Sequence, residues 1–259
     1  MKRRIDFIVA GIQKCGTTTL YSLLRQHPSL IGSAPKEPHF FSRRRNSQLT
    51  EEQIETYHGA WLKKADRFES DKLYFEASAD SCFLNGGAGK SLFDPLPVIK
   101  AYNPEIKIII LFRDPVERFY SEWSMLRRKK EEGKRWGTDL SFLKFFDTSV
   151  KRWDSLGYEK HLYHGCYASI VLRLKKLFDS ESLLFLRPAD VNDSLSAIEA
   201  FLGVEPFDYQ RIGASPALYD GEQLPADCAR ALRAFYEQEM VSFSALTGLD
   251  VSGWIDGRK

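Results

Sequence analysis

Two glycines with four residues between them, a lysine inside the gap and three threonines behind it mark the stretch GIQKCGTTTLYSLL, Gly11 to Leu24. Gly11 and Gly16 let a backbone turn tightly and approach a ligand. With a strand ahead and a helix behind, such a loop points backbone N–H groups inward. The helix dipole favours negative charge there, and Thr17, Thr18 and Thr19 add hydroxyl donors. The chemistry this pattern serves is phosphate binding. The competing reading is a strand–helix turn that binds nothing, against which stands the coincidence of two glycines, a lysine and three threonines. A nucleotide-hydrolysing loop places its lysine directly after the second glycine; here Thr17 follows Gly16, and the lysine is Lys14.

A second position bears on the kind of phosphate. In magnesium-dependent phosphate-loop enzymes an acidic residue at the end of a second strand holds the metal. Here the most strand-like run, IKIIILF, ends in Arg113, followed by Asp114. A cation there suits a second phosphate gripped directly, because a guanidinium binds phosphate in bidentate fashion. Ser121, two turns into the next helix, can donate to the same group. The plainer readings are a salt bridge for Arg113 and a surface position for Ser121.

These residues need elements to position them. IDFIVAG is a short apolar run of the kind that forms a strand covered on both faces. LYFEAS, IKIIILF and SLLFLRP are further strands. Leu20, Leu23, Leu24 and His27 recur at helical spacing, with Pro28 as the stop. RDPVERFYSEWSML opens a helix with Asp114 as cap, Pro115 at the first position and Glu117 as capping-box partner. Its expected buried stripe is Val116, Phe119, Tyr120 and Trp123. Tyr167, Ile170, Val171, Leu174 and Leu177 mark another helix. A long one runs from Pro225 to Gly248 with Leu232, Phe235, Tyr236, Met240, Phe243 and Leu246 on one face. Alternating buried strands and helices imply an α/β fold, a P-loop-like parallel sheet flanked by helices. Segments 42–72 and 127–160 read as excursions above the sheet edge, where ligands bind in such folds.

At 259 residues the chain is long enough for a substantial core, and no repeat or linker divides it, so one domain over 1–259 is expected. A net charge of +2 gives no global pull toward nucleic acid or membrane. The basic runs Arg43–Arg45 and Arg127–Lys130 read first as solvated faces. Cys15, Cys82, Cys166 and Cys228 lack metal-ligand spacing and fit free thiols in a reducing compartment. No stretch is long and apolar enough for a bilayer, and the N-terminal apolar run feeds the glycine loop as a strand rather than a signal peptide. A cytoplasmic protein is the expectation.

The blocks QKCGTTTLYSLL, KEPHFF and LFRDPVERFYSEW together resemble the signature blocks of sulfotransferases that use 3′-phosphoadenosine 5′-phosphosulfate (PAPS). The likeness is nearest to the carbohydrate, heparan-sulfate-type branch with its bacterial relatives. The strong blocks cover residues 10–41 and 105–125, and weaker echoes run through HGCYASIVLRLKKLF and FYEQEMVSFSALTGLDVSGW. The resemblance implies the sulfotransferase fold, PAPS as donor, PAP as product and no metal. It implies that Lys14 contacts the oxygen between phosphate and sulfate, with Gly11, Gln13, Cys15, Gly16, Thr17, Thr18 and Thr19 around the 5′-phosphosulfate. The family's arginine and serine for the 3′-phosphate fall on Arg113 and Ser121.

In-line sulfuryl transfer also needs a base for the acceptor's proton. In the carbohydrate branch the glutamate of the KEPHFF-type block is that base, which points to Glu37, with His39 orienting the acceptor or assisting. A Glu37 ion pair with Lys36 or an arginine of 43–45, and a structural hydrogen bond for His39, are the alternatives. Ser42 departs from the acid that carbohydrate members often carry after the two phenylalanines. Cytosolic small-molecule members use a histidine from another block; His161 and His164 sit in no matching motif. The donor-closing loop should lie in YQRIGASPALYDG, where Arg211 is the cation. The acceptor is a glycan or small molecule bearing a hydroxyl or amine. Two other readings remain: a small-molecule kinase, which would want a lysine at 17 and an acid at 113, and a silent PAP-binding protein.

Overall fold

The computed structural model describes residues 4–43, 48–61, 68–85, 92–213 and 223–257. Arg44 and Arg45 of the first basic run, and residues 214–221 of the expected donor-closing stretch, lie outside them. In chain order the first elements are β1 (Phe7–Gly11), α1 (Thr17–Leu24), β2 (Leu30–Gly32), α2 (Glu51–His58), β3 (Leu73–Glu76), α3 (Leu96–Tyr102) and β4 (Lys107–Leu111). Then come α4 (Pro115–Glu131), α5 (Phe142–Leu156), α6 (Lys160–Tyr163), α7 (Tyr167–Leu177), β5 (Leu183–Leu186), α8 (Leu195–Leu202), α9 (Ala226–Thr247) and α10 (Ser252–Asp256). They fall into two compact units: residues 1–112 with 173–214, and residues 113–172 with 215–259.

The first unit holds the sheet. Its five strands are all parallel, in the order β2-β3-β1-β4-β5. Every residue of β1 is buried, as its unbroken apolar run requires. β1 stands at the centre because β2 and β3 lie on one side of it and β4 and β5 on the other. The chain changes direction across it, so the loop after β1 opens at the place where parallel sheets bind ligands. The register against β4 shifts between Val9 and Gly11, so one extra residue bends β1 just before the loop. Phe7 and Phe75 stack at 4.7 Å between ring centres beneath it, both fully buried. Each contributes about 2 kcal/mol by burial.

Four of the strands are those expected. The fifth, β2, was not foreseen: three residues ending in glycine carry no periodicity, and only pairing with β3 makes them a strand. α1 ends at Leu24, before His27, whose ring instead meets the Glu205 carbonyl at 2.9 Å and the Ser29 N–H at 3.0 Å.

The second unit is helical. α4 begins as expected, with Asp114 accepting from the N–H groups of Val116 (2.8 Å) and Glu117 (3.4 Å). The expected capping box does not form, because the Glu117 carboxylate takes the Arg113 guanidinium at 2.8 and 3.0 Å. A charge-assisted pair is the stronger claim on a carboxylate than a neutral N–H. Val116, Phe119 and Trp123 are buried as expected, but Tyr120 is half-buried, and Arg118 and Glu122 occupy buried positions instead. Trp123 meets Phe142 of α5 edge-on at 5.4 Å, and Tyr167 meets Phe243 of α9 at 5.6 Å. α9 runs between Pro225 and Gly248, the boundaries expected of it.

Candidate active site

The turn after β1 is built from two left-handed residues, Lys14 at φ 73° and Gly16 at φ 94°, with Cys15 between them. Between these left-handed residues the Cys15 N–H closes the turn on the Ile12 carbonyl at 3.1 Å, and α1 then starts at Thr17, where first-turn N–H groups lack an intrahelical acceptor. A non-glycine residue in this region costs on the order of 1 kcal/mol, and such strain collects at functional sites. Gly16 is the cap residue of α1 and supplies no side-chain hydrogen bond to its first turn. A Cβ on Gly16 would stand 2.7 Å from Val191, and one on Gly11 would stand 2.9 Å from the Cys82 sulfur, so both positions demand glycine. Thr17 is buried, Thr19 half-buried and Thr18 exposed; Gln13 is half-buried and gives its carbonyl to the Cys15 thiol.

The segment from Ser33 to Phe40 crosses the C-terminal ends of β2 and β3. Ser33 N–H donates to the Phe75 carbonyl at 2.9 Å, and Ala77 N–H donates to the Lys36 carbonyl at 3.2 Å. The Tyr21 hydroxyl of α1 donates to the Ser33 carbonyl. These bonds bring Glu37 and His39 together. Glu37 Oε1 lies 2.8 Å from Lys36 Nζ, and Glu37 Oε2 lies 3.4 Å from His39 Nε2. The other face of His39 is taken by Asp80, whose two oxygens lie 3.0 and 3.1 Å from Nδ1. The His39 N–H donates to the Ser78 hydroxyl at 3.2 Å, holding a residue with φ 54°. A chain Glu37–His39–Asp80 results, and Lys36 Nζ joins it to the phosphate loop at 3.1 Å from the Thr18 hydroxyl and 3.5 Å from that of Thr17.

Sequence reasoning missed Asp80 and gave Lys36 only a structural part. Asp80 follows β3 by a few residues, at the sheet end where ligands bind, and that position was the available signal. It supplies an acid for His39 where Ser42 lacks one; the Ser42 hydroxyl stands 3.5 Å from the same Nδ1. The hydrogen bond that His39 donates to Asp80 raises the His39 pKa above 6.5, against partial burial and the Arg43 charge. For Asp80, burial acts upward, but bonds from His39 and Ser42 outweigh it and hold the carboxyl below its usual range. The stabilisation from protonated His39 is therefore complete below the free histidine value and is lost as pH rises through the raised one, while that from ionised Asp80 fades as pH falls through its lowered value. Asp80→Asn removes the largest raising interaction, so NMR should show His39 titrating at lower pH than in the unaltered protein. An unchanged midpoint would break the link. Nearby, burial pushes Glu76 up to about 7, and the Tyr57 hydroxyl donates to it at 2.7 Å.

Of three remaining candidates, two are engaged in ion pairs. Arg113, in the second unit, is paired with Glu117 and exposed, and Ser121 is half-buried on α4. Arg211, in the first unit, is taken by Asp190 at 2.8 Å and Asp193 at 3.2 Å. His161, buried, and His164, half-buried, lie around Glu122 at 2.8 and 3.7 Å as parts of a structural cluster.

A phosphate-type loop at the centre of a parallel sheet, with an ammonium at its threonine hydroxyls and a carboxylate on that ammonium, is an arrangement suited to an anionic ligand. The sulfotransferase domain model matches residues 4–208, and the chain belongs to that family. It is 31% identical to carbohydrate sulfotransferase 15 of Rattus norvegicus over 147 residues, 45% of this chain and 26% of that protein. It is 25% identical to heparan sulfate glucosamine 3-O-sulfotransferase 3B1 of Homo sapiens over 277 aligned positions, 95% of this chain and 64% of that one. The chain thus spans less than two thirds of the length of either relative. Among solved structures, a sulfotransferase from Alicyclobacillus acidocaldarius superimposes with a TM-score of 0.71 at 25% identity, covering 97% of this chain and 99% of that one. The parallel sheet flanked by helices is the sulfotransferase fold.

Proposed function

We propose that the chain transfers a sulfuryl group from PAPS to a hydroxyl or amine of a glycan or small-molecule acceptor. The observation that carries this reading is the placement of Glu37 beside the threonines of the phosphate loop, joined to them through Lys36. A carboxylate and a phosphate cradle facing one place suit in-line displacement. PAPS supplies the sulfuryl group on a phosphate leaving oxygen. Glu37 accepts the acceptor's proton as its oxygen or nitrogen bonds to sulfur. Lys14 offsets the charge left on the phosphate oxygen as the sulfur–oxygen bond breaks. His39, held by Asp80, orients Glu37. Arg113 and Ser121 take the 3′-phosphate, which requires Arg113 to exchange Glu117 for it.

A glycan acceptor draws support from the two relatives, whose names give carbohydrate and heparan sulfate as what they act on. A bacterial, cytoplasmic setting draws support from the likeness to the Alicyclobacillus acidocaldarius structure and from four buried cysteines held as thiols rather than disulfides. Calorimetry tests the donor. PAP should bind without magnesium, and binding of magnesium-ATP with no affinity for PAP would sink the assignment. Arg113→Ala should weaken PAP about tenfold or more, as loss of a charge-assisted pair does, and barely change adenosine 5′-phosphosulfate, which lacks the 3′-phosphate. Sulfate transfer from labelled PAPS across a panel of acceptors separates an enzyme from a silent PAP-binding protein.

A further inference from the structure

Lys36 is held in a place that electrostatics disfavours. Its ammonium lies 3.1 Å from the Thr18 hydroxyl and 3.5 Å from that of Thr17, at the N-terminus of α1. That end of a helix carries partial positive charge and repels cations. Lysine side chains ordinarily reach for water, yet this one is only 18% exposed. Lys14 lies in the turn that leads into the same helix. The only carboxylate among the described contacts of Lys36 is Glu37, at 2.8 Å. An arrangement that crowds cations against a helix N-terminus becomes favourable when an anion enters. It also occupies one oxygen of the carboxylate that must accept a proton.

We propose that Lys36 is a further catalytic residue, one that binds the sulfuryl oxygens of the donor and gives up Glu37 to do so. The proposal rests on the sulfotransferase reading above. In the free protein the ammonium neutralises Glu37. With the donor present, the sulfate oxygens at the threonine hydroxyls compete for the ammonium, and Glu37 Oε1 is released to the acceptor. Lys14 and Lys36 then divide the labour: one serves the leaving phosphate oxygen and the other the moving group. Base and donor are thereby coupled, and the carboxylate is unmasked only beside a loaded loop.

The test needs no acceptor. Affinities for PAPS and for PAP, which lacks the sulfuryl group, are measured by calorimetry on the full chain. Lys36→Met should weaken PAPS about tenfold or more, the scale of one charged hydrogen bond, and leave PAP within about twofold. Lys36→Arg should recover most of the loss. Glu37→Gln should tighten PAPS relative to PAP, because no carboxylate competes for the ammonium, and the gain should vanish in the Lys36→Met background. Equal losses for PAPS and PAP would place Lys36 on the phosphate and overturn the proposal. An unchanged PAPS-to-PAP ratio in Lys36→Met would overturn it as well. If Lys36→Met fails to fold, Lys36→Gln carries the same comparison, with thermal melting as the control. Failure of the unaltered chain to bind either nucleotide would instead refute the sulfotransferase reading itself.

Discussion

Replacing Glu37 by glutamine should lower sulfate transfer by about 10² to 10⁴, the range that a lost general base costs, and leave PAP binding intact. The substitution keeps the size of the side chain and one hydrogen-bond acceptor but removes the proton acceptor. Two neighbours make the experiment informative. Lys36 approaches one Glu37 oxygen at 2.8 Å and His39 Nε2 the other at 3.4 Å. A base shared in this way is either Glu37 itself or His39 acting past it, and paired kinetics decide. Full activity in Glu37→Gln with loss in His39→Ala would move the base to the histidine. Loss in both, with Asp80→Asn shifting the pH profile of the rate, is the result expected of a carboxylate steered by an imidazole that Asp80 holds.

The largest effect on stability should come from the second unit, at a cluster that no donor or acceptor touches in the proposed mechanism. Arg118 is fully buried and gives one N–H to Glu122 at 2.8 Å and another to the His161 carbonyl at 2.5 Å. Glu122 also accepts from His161 Nδ1 at 2.8 Å. Burial alone would raise the Glu122 pKa, but the charges of His161 and Arg118 outweigh it and hold the group well below the usual carboxylate range. Truncating one partner leaves the others charged and dry, which costs about 3–5 kcal/mol. Glu122→Ala should therefore lower the melting temperature by roughly 10 °C, at 2–4 °C per kcal/mol for a chain of this size. Arg118→Met with Glu122→Leu, which removes both charges, should recover much of the loss.

Acid should act on the same cluster. Glu122 has a lowered pKa, so its contribution stands above the free carboxylate value and fades as pH falls through the folded one. Burial pushes His164 down to about 4, so between the free value of 6.5 and about 4 the unfolded chain binds a proton that the folded one refuses. Both groups thus reduce stability on acidification. Thermal melts from pH 7 to pH 4 should show the decline, and His164→Gln should flatten its upper part.

What the sequence disclosed follows the reach of each signal. β1, β4 and β5 are continuous apolar runs, and α9 has a proline before it and a glycine after it, so each was readable locally. β2 was not, since three residues become a strand only against β3. The phosphate loop was legible because glycine, lysine and threonine at fixed spacing report a backbone need. Lys36 and Asp80 were not, because their roles arise from contacts between segments distant in the chain: Lys36 with Thr18, and Asp80 with His39. Glu117 illustrates the opposite error. The local capping rule was sound, but Arg113, one residue before the cap, had a stronger attraction for it. Arg118 and Glu122 fall outside the expected apolar stripe, and only their shared burial shows them as a pair.

The four thiols have a practical consequence. Cys15 and Cys82 lie in the first unit, Cys166 and Cys228 in the second, and all four are buried. Burial pushes Cys82 up to about 12, so in the closed protein its sulfur is both shielded and protonated. Alkylation then waits on opening of the surrounding structure, and the labelling rate at each sulfur becomes a clock for that opening. Mass spectrometry after timed exposure to a thiol reagent would read the two units separately, without any introduced probe. Nucleotide should slow the clock at Cys15, inside the phosphate loop, and leave Cys228 running at its former rate.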